Sequence, residues 1–558
     1  MDPGWFARRR QLQARFEALH PIRDASHFAY MRGPTLRFTE ERAAELWSRA
    51  NDHPQPGTLA PQNHVYIHVP FCKSICSFCN YERLKPSHPS LMQGWLRRVL
   101  GSIETLGPAL APLKWHSLYI GGGTPSTLPA AMMDQLLTVL DAHLDFAPRS
   151  GRHIELDPAV VSQSRLDVLK KHGFMRLSFG IQSLDAEVNS QHNRGPQGKK
   201  IVDDCFTALK STGFQSVTVD FLLGLQGTTP EGILADIAYV LETHEPMSVD
   251  IFALVPTPKY VEALFGGDLD AFWAHMAPFQ EIVPAALPEL CARLGYRLNE
   301  SSGHAYTLNR LDRSSGAGPH TSYTQLVSAQ QRPLNLLGLG TSARTQIFQS
   351  AAFQYRDPGE DPASDGPAWY EGQPVPVETE IRSYLIHQLR DHGQVDRELF
   401  RDIFGVDLLQ AVPIPIEAWQ ALGLATVKAD RLLLAEQNTQ DRARTLMWLV
   451  PDPLLEFEVG RIEGLDLSHE GVADLFGVLP HGTVLSDGYR FLGVRDGRLL
   501  IGSEAGMLQL RLAPALEDRG PLRVVLETTP TPGTEARVGA VVGMLRNLAT
   551  RQQRSRRR

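Results

Sequence analysis

The chain has 558 residues, too many for one hydrophobic core and enough for roughly two to four domains. Its 21% charged and 42% hydrophobic residues place it among ordinary globular proteins, and a net charge of −7 argues against bulk binding to nucleic acid. Five cysteines do not make a disulfide framework, so a reducing, cytoplasmic setting is expected, and no apolar run reaches the ~18 residues of a membrane span.

Residues 1–62 read as a helical lead followed by a loop. FARRRQLQARFEALH has helix-forming composition, and Pro54, Pro56, Gly57 and Pro61 then break the chain. The lead lacks the apolar centre of a secretory signal. Its basic run, Arg8 to Arg10, reads as a solvated helix face. From residue 64 short apolar runs alternate with helical patterns. The runs are 64–70, 115–121, 152–157, 174–181, 216–224 and 248–256, and the segments between them carry apolar residues at helical spacing. Strand followed by helix, six times over, predicts a parallel sheet of βαβ units, either an open doubly wound sheet or a barrel. A helical stretch to Tyr296, a short polar run and the apolar LNLLGLGTSART (334–345) follow. Residues 356–377, dense in Pro, Gly and Asp, read as a linker. Residues 378–448 are mostly helical and end in a small hairpin. With eight Lys/Arg against eleven Asp/Glu, they carry the wrong sign for a DNA-reading face. Residues 449–558 read as a small α+β domain, with a hairpin turning at Asp496-Gly497, a closing helix and the basic tail RQQRSRRR.

Three of the five cysteines lie in one stretch, YIHVPFCKSICSFCNY (66–81), as Cys72, Cys76 and Cys79. Three thiolates at C-x3-C-x2-C spacing can hold three irons of a [4Fe–4S] cube and leave the fourth open. Zinc competes, but structural zinc takes four ligands and no fourth cysteine stands near. His68 could complete such a site, yet it lies in an apolar run and reads as a buried strand residue. Thiols buried for packing alone have no reason to cluster at this spacing. The turn GGGTPS (121–126) follows the second strand, and its glycines let backbone groups approach a ligand closely. Glu155 ends the third strand, where a carboxylate can accept from an ammonium or from ribose hydroxyls. Arg194 suits a carboxylate because its fork binds two oxygens. Asp220, flanked by apolar strand residues, needs a partner to justify its burial.

The cysteine stretch resembles the cluster loop of radical S-adenosylmethionine enzymes, in the branch typified by oxygen-independent coproporphyrinogen III oxidase. GGGTPS, Glu155-Leu156-Asp157-Pro158, RLSFGIQSLDAEVNSQHNRG (176–195) and VTVDFLLGLQG (217–227) are similar to further motifs of that branch. The resemblance implies a partial (β/α)6 barrel with chemistry at the strands' C-terminal ends, and a winged-helix-like domain at 378–448. It implies that Cys72, Cys76 and Cys79 hold a [4Fe–4S] cluster, whose open iron chelates S-adenosylmethionine. One electron then releases a 5′-deoxyadenosyl radical. It also implies two cosubstrate sites. Tyr66, Gly122 and Glu155 match the first; Phe78, Gly123, Thr124, Gln182, Arg194, Asp220 and Ala253 match the second. Retention of the second set favours two-molecule methyl or methylene transfer. A small-molecule substrate and an electron donor such as a flavodoxin or ferredoxin are expected.

Three departures set the chain apart from the oxidase. Asn80-Tyr81 replaces a fourth cysteine, Arg344 stands where the oxidase has an isoleucine at the first site, and residues 1–60 lack the arm that helps hold the tetrapyrrole. In addition, Gln226 stands where the branch usually has proline. The alternatives are therefore a tetrapyrrole-modifying enzyme and a haem carrier, for which His304, His320 and Tyr323 are candidate axial ligands. Residues 449–558 fall outside the resemblance.

Overall fold

The computed structural model describes residues 3–19, 25, 36–52, 57–300, 305–311, 332–356, 368–452 and 455, apart from 196, 215 and 376, together with six strands between 462 and 526. A short strand, β1 (Leu36–Phe38), precedes six strands that lie side by side in parallel. These are β2 (Gln62–Val69), β3 (Lys114–Gly122), β4 (Asp145–Leu156), β5 (Arg176–Gln182), β6 (Ser216–Leu223) and β7 (Ser248–Ala253). They coincide with the six apolar runs of the sequence. The antiparallel pair β8 (Tyr296–Glu300) and β9 (Ala305–Arg310) extends the β7 edge. On the other edge β10 (Leu334–Leu339) pairs parallel with β2, Gly338 opposite Tyr66. All of β10 is buried, as suits a strand covered on both faces. The antiparallel β11 (Arg344–Ile347), β12 (Ala351–Arg356) and β13 (Trp369–Pro374) lead on to β1. Among the described residues the two ends of this sheet do not pair with each other, so the barrel is partial and open.

Alternation along the strands divides the chain between core and interior. On β6, Val217, Val219, Phe221 and Leu223 are buried against the outer helices, while Thr218, Asp220 and Leu222 take the other face. On β7, Val249, Ile251 and Ala253 are buried, and Asp250 and Phe252 alternate with them. The connecting helices are α3 (Pro89–Leu110), α4 (Ala130–His143), α5 (Gln163–Lys171), α6 (Ala186–Gln191), α7 (Lys199–Thr212) and α8 (Pro230–His244). Their limits follow local chemistry. Thr229 Oγ1 accepts the Gly232 N–H at 3.0 Å with Pro230 as the first helical residue, and α7 ends on Gly213 at φ 75°.

The structure departs from the sequence reading in three places. The 1–62 lead contains a second helix, α2 (Glu40–Asp52), whose Trp47 and Ala43 enter the main core. The 356–377 stretch is not all linker: β13 pairs with β12 and β1, and Tyr370 is fully buried. Arg9 is not solvated. It is buried on α1 (Pro3–Leu19), whereas Arg8 and Arg10 are exposed, because neighbours on a helix face different ways.

The 378–448 region holds Val377–His392, four shorter helices and a three-stranded sheet. It shares a core with Phe16 of α1, with Leu334, Leu336 and Phe348, and with Leu455. The strands from 462 onward form their own antiparallel sheet, with Tyr489–Arg495 and Arg498–Ser503 as the expected hairpin. The closing helix and basic tail lie outside the described residues. No helix among the described residues is long and apolar enough to cross a membrane.

Candidate active site

The cysteine loop leaves the C-terminal end of β2 and is pinned from two sides. On one side Cys72 N–H donates to Leu84 O at 2.9 Å and Leu84 N–H to Pro70 O at 2.6 Å. On the other, Gly123 N–H donates to Val69 O and Thr124 N–H to Phe71 O, both at 2.8 Å. Cys76 and Cys79 close a tight turn, with Cys79 N 3.3 Å from Cys76 O. The three thiols share one neighbourhood. Burial pushes the Cys72 thiol up to about 11, the Thr124 hydroxyl and Arg194 oppose this, and Cys79 and Cys76 add to it. Burial also raises Cys76, against Arg194, which bonds to it. His68 is not a fourth ligand. Its Nε2 donates to Glu82 O at 2.9 Å, which leaves Nδ1 to accept from the Tyr66 hydroxyl at 3.1 Å.

The glycine turn lies against the first cysteine. Thr124 Oγ1 is 3.6 Å from Cys72 Sγ. A Cβ at Gly123 would stand 2.9 Å from the same sulfur, and one at Gly122, whose φ is 114°, would stand 2.8 Å from the His68 ring. Only glycine leaves that space open. Glu155 accepts from Tyr119 Oη at 2.5 Å and from Gly122 N–H at 3.3 Å, and burial pushes its carboxyl up against both bonds. Tyr66 stacks on Tyr119, ring centres 6.0 Å apart, so β2, β3 and β4 present one connected surface.

The remaining strands complete the ring of residues. Gln182 ends β5 in the left-handed region at φ 69°. Arg194 follows α6, bonds to Gly180 O and Cys76, and has a buried Nε with no hydrogen-bond partner among the described residues. Asp220 on β6 is pushed well above the ordinary carboxylate range by burial, then by Asp250 and Glu155, while Arg194 opposes. Asp250 is its in-register neighbour on β7 and accepts from Thr307 Oγ1 at 2.6 Å. Ala253 and Phe78 belong to an apolar cluster with Tyr260 and Met276.

These residues fit an iron–sulfur cluster with a cationic cosubstrate. No three His, Cys, Asp or Glu side chains among the described residues gather tightly enough to hold a metal ion at one point. The Cys76 and Cys79 thiols are close enough to act on Cys72, and Gly123 leaves room beside the Cys72 sulfur. Coordination would deprotonate them despite their burial. The unpaired Nε of Arg194 suits a carboxylate, and Glu155 and Asp220 suit an ammonium or hydroxyls. A profile of the Radical SAM superfamily matches residues 66–240.

Over these residues the chain is similar to radical SAM enzymes. The relatives it resembles include oxygen-independent coproporphyrinogen III oxidases and heme chaperones. The oxidase of Salmonella typhimurium is 31% identical over 41% of this chain and 49% of its own length. The heme chaperone HemW of Lactococcus lactis is 30% identical over 35% of this chain and 50% of its own. The chain thus spans about half the length of these curated relatives. The solved Escherichia coli coproporphyrinogen III oxidase, described as a radical SAM enzyme, matches with a TM-score of 0.59. It is 20% identical over 74% of this chain and 93% of that one, a likeness of fold.

The structure brings together Cys72, Cys76, Cys79, Tyr66, Gly122, Gly123, Thr124, Glu155, Arg194 and Asp220, with Gln182, Phe78 and Ala253 at the same end of the sheet. Arg344 opens β11 with an exposed side chain, its backbone beside Gly338 of β10, which pairs with Tyr66. Of the candidate haem ligands, His304, His320 and Tyr323 lie outside the described residues. Sequence reasoning missed Asp250, His192 and the orientation of Tyr81. Tyr81 is 66% exposed, yet burial pushes its hydroxyl up to about 12, with Glu155, Cys79 and Asp220 adding to the rise. Gln226, where the branch usually has proline, donates its N–H to Tyr260 Oη at 3.3 Å, a bond proline cannot make.

Proposed function

We propose that this chain is a radical S-adenosylmethionine enzyme that modifies an unactivated carbon by two-molecule methyl or methylene transfer, working in a reducing cytoplasm with a flavodoxin- or ferredoxin-like electron donor and a small-molecule substrate. When bound, a reduced [4Fe–4S] cluster and S-adenosylmethionine supply a one-electron cleavage that yields a 5′-deoxyadenosyl radical. Cys72, Cys76 and Cys79 would hold the cluster. The Gly122–Thr124 backbone and Glu155 would hold the methionyl and ribose groups of the first cosubstrate. Arg194 would clamp the carboxylate of the second, a charge-assisted pair. Asp220 would face its hydroxyls or ammonium, and Phe78 and Ala253 would exclude water beside it.

The observation that carries this reading is Arg194. Its guanidinium touches Cys76 and acts on Cys72 and Asp220, so a residue matched to the second site lies against the cluster loop. Two adjacent cosubstrates need that closeness. The test is binding stoichiometry of S-adenosylmethionine on cluster-loaded protein by equilibrium dialysis. We expect two molecules per chain for the wild type and one for Arg194→Ala, with 5′-deoxyadenosine formation impaired less than methyl transfer. A single molecule on the wild type would leave a one-cosubstrate radical enzyme, or a haem carrier that binds haem tightly without turnover.

A further inference from the structure

His192 lies two residues before Arg194, at the end of α6, and is 2% exposed. Both of its ring nitrogens are engaged. Nε2 is 2.9 Å from Gln226 O and Nδ1 is 2.9 Å from Ser77 Oγ. A carbonyl can only accept, so Nε2 carries the proton, and in the neutral ring Nδ1 accepts from the Ser77 hydroxyl. The main-chain carbonyl of His192 also accepts the Ser77 N–H at 3.0 Å. One residue thus grips Ser77 by hydroxyl and amide across a sequence separation of 115. Ser77 is the neighbour of Cys76.

The ring is fixed on its faces as well. It stacks on Tyr260 at 5.8 Å and 20°, and the Phe78 ring lies 6.2 Å away. The turn that carries it is anchored. Asn189 Nδ2 donates to Ser183 O and Gln197 O, each at 2.7 Å, and Arg194 N–H donates to Asn189 O at 2.9 Å. Asn193 between them is left-handed, φ 57°, a conformation asparagine tolerates. From this one turn Arg194 reaches Cys76 while His192 holds Ser77. A histidine buried only for packing would not need both its Nδ1 and its carbonyl on Ser77 of the cysteine loop.

We propose that His192 is a positioning residue that fixes the Cys76–Cys79 loop in register with Arg194, so that one turn of chain places both the cluster and the second cosubstrate. The proposal rests on the cluster reading above. It makes Ser77 the point through which His192 acts.

Three full-length proteins test it beside the wild type. His192→Phe keeps a ring to stack on Tyr260 and removes both nitrogens. His192→Asn keeps an amide oxygen near the Nδ1 position to accept from Ser77. Ser77→Ala cuts the hydroxyl bond from the other side and serves if His192→Phe fails to fold. In cluster-free protein, hydrogen exchange of the 76–79 amides should quicken about tenfold in His192→Phe, the worth of roughly one hydrogen bond, and return toward wild type in His192→Asn. In cluster-loaded protein, iron content should hold, while the change in the reduced cluster's electron paramagnetic resonance on adding S-adenosylmethionine should weaken. Adding Ser77→Ala to His192→Phe should change loop exchange little further, since the ring's bond to the Ser77 hydroxyl is already lost. Unchanged loop exchange in His192→Phe, or fully additive effects, would overturn the proposal. If the wild type takes up no iron, the cluster reading fails instead, and the exchange experiment alone decides whether His192 holds the loop.

Discussion

At the scale of single residues the site is a balance of buried charges. Glu155, Asp220 and Asp250 lie on three strands, burial pushes all three carboxyls upward, and the Arg194 guanidinium opposes the rise at Asp220. The sign of the pH effect follows from linkage. As pH rises above the ordinary aspartate value near 4, the unfolded chain releases these protons first while the native pair on β6 and β7 keeps its own. The native state then binds more protons, so stability falls with rising pH. Asp250→Asn can still accept from Thr307 and removes one of the facing charges. It should raise the melting temperature by a few degrees near pH 7 and leave it unchanged near pH 3. A melting curve with the same pH dependence as wild type would show that Asp220 and Asp250 do not interact. The cysteine triplet was legible in the sequence because its spacing is local. Asp250 and His192 were not, because their partners, Asp220 and Ser77, come from distant strands and loops and leave no local pattern.

At the scale of elements, the parallel strands could be read because each is a short apolar run bounded by polar helices. What could not be read is pairing across long separations. β13 sits in a stretch rich in proline and glycine, and it is a strand because Phe38 and Phe353 pack on Tyr370 at 5.8 and 5.3 Å. Helix α1 shows the same limit. Trp5 and Arg9 reach Asp452 at 2.6 and 2.8 Å, and Phe6 stacks on Trp448 at 5.2 Å. A basic run read as solvated therefore carries one buried residue that ties the N-terminal helix to the 378–455 core. Arg9→Ala should destabilise that core by on the order of 2 kcal/mol, measured by denaturant unfolding, because a charge-assisted bond is lost from a buried side chain. Arg8→Ala, one residue earlier and exposed, should do nothing measurable.

At the scale of the whole molecule, the partial barrel, its extension and the helical region share packing through β10 and Phe348, whereas among the described residues the strands after 462 pair with one another. The sequence boundary at 449 falls inside the helical core, since Leu455 is fully buried and Asp452 holds Trp5 and Arg9. Truncation between Leu455 and Ile462 should leave folded protein that still assembles iron, while truncation after Val450 should yield markedly less. Equal yields from both would show that the α1 contacts contribute little. We propose that Cys72, Cys76 and Cys79 hold a cluster that activates S-adenosylmethionine. The most direct test is 5′-deoxyadenosine formed by anaerobically reconstituted protein with reductant, measured against iron content. We expect about four irons per chain and 5′-deoxyadenosine from the wild type and from Cys205→Ala, and neither from Cys72→Ala. Full iron and undiminished 5′-deoxyadenosine from Cys72→Ala would contradict this proposal.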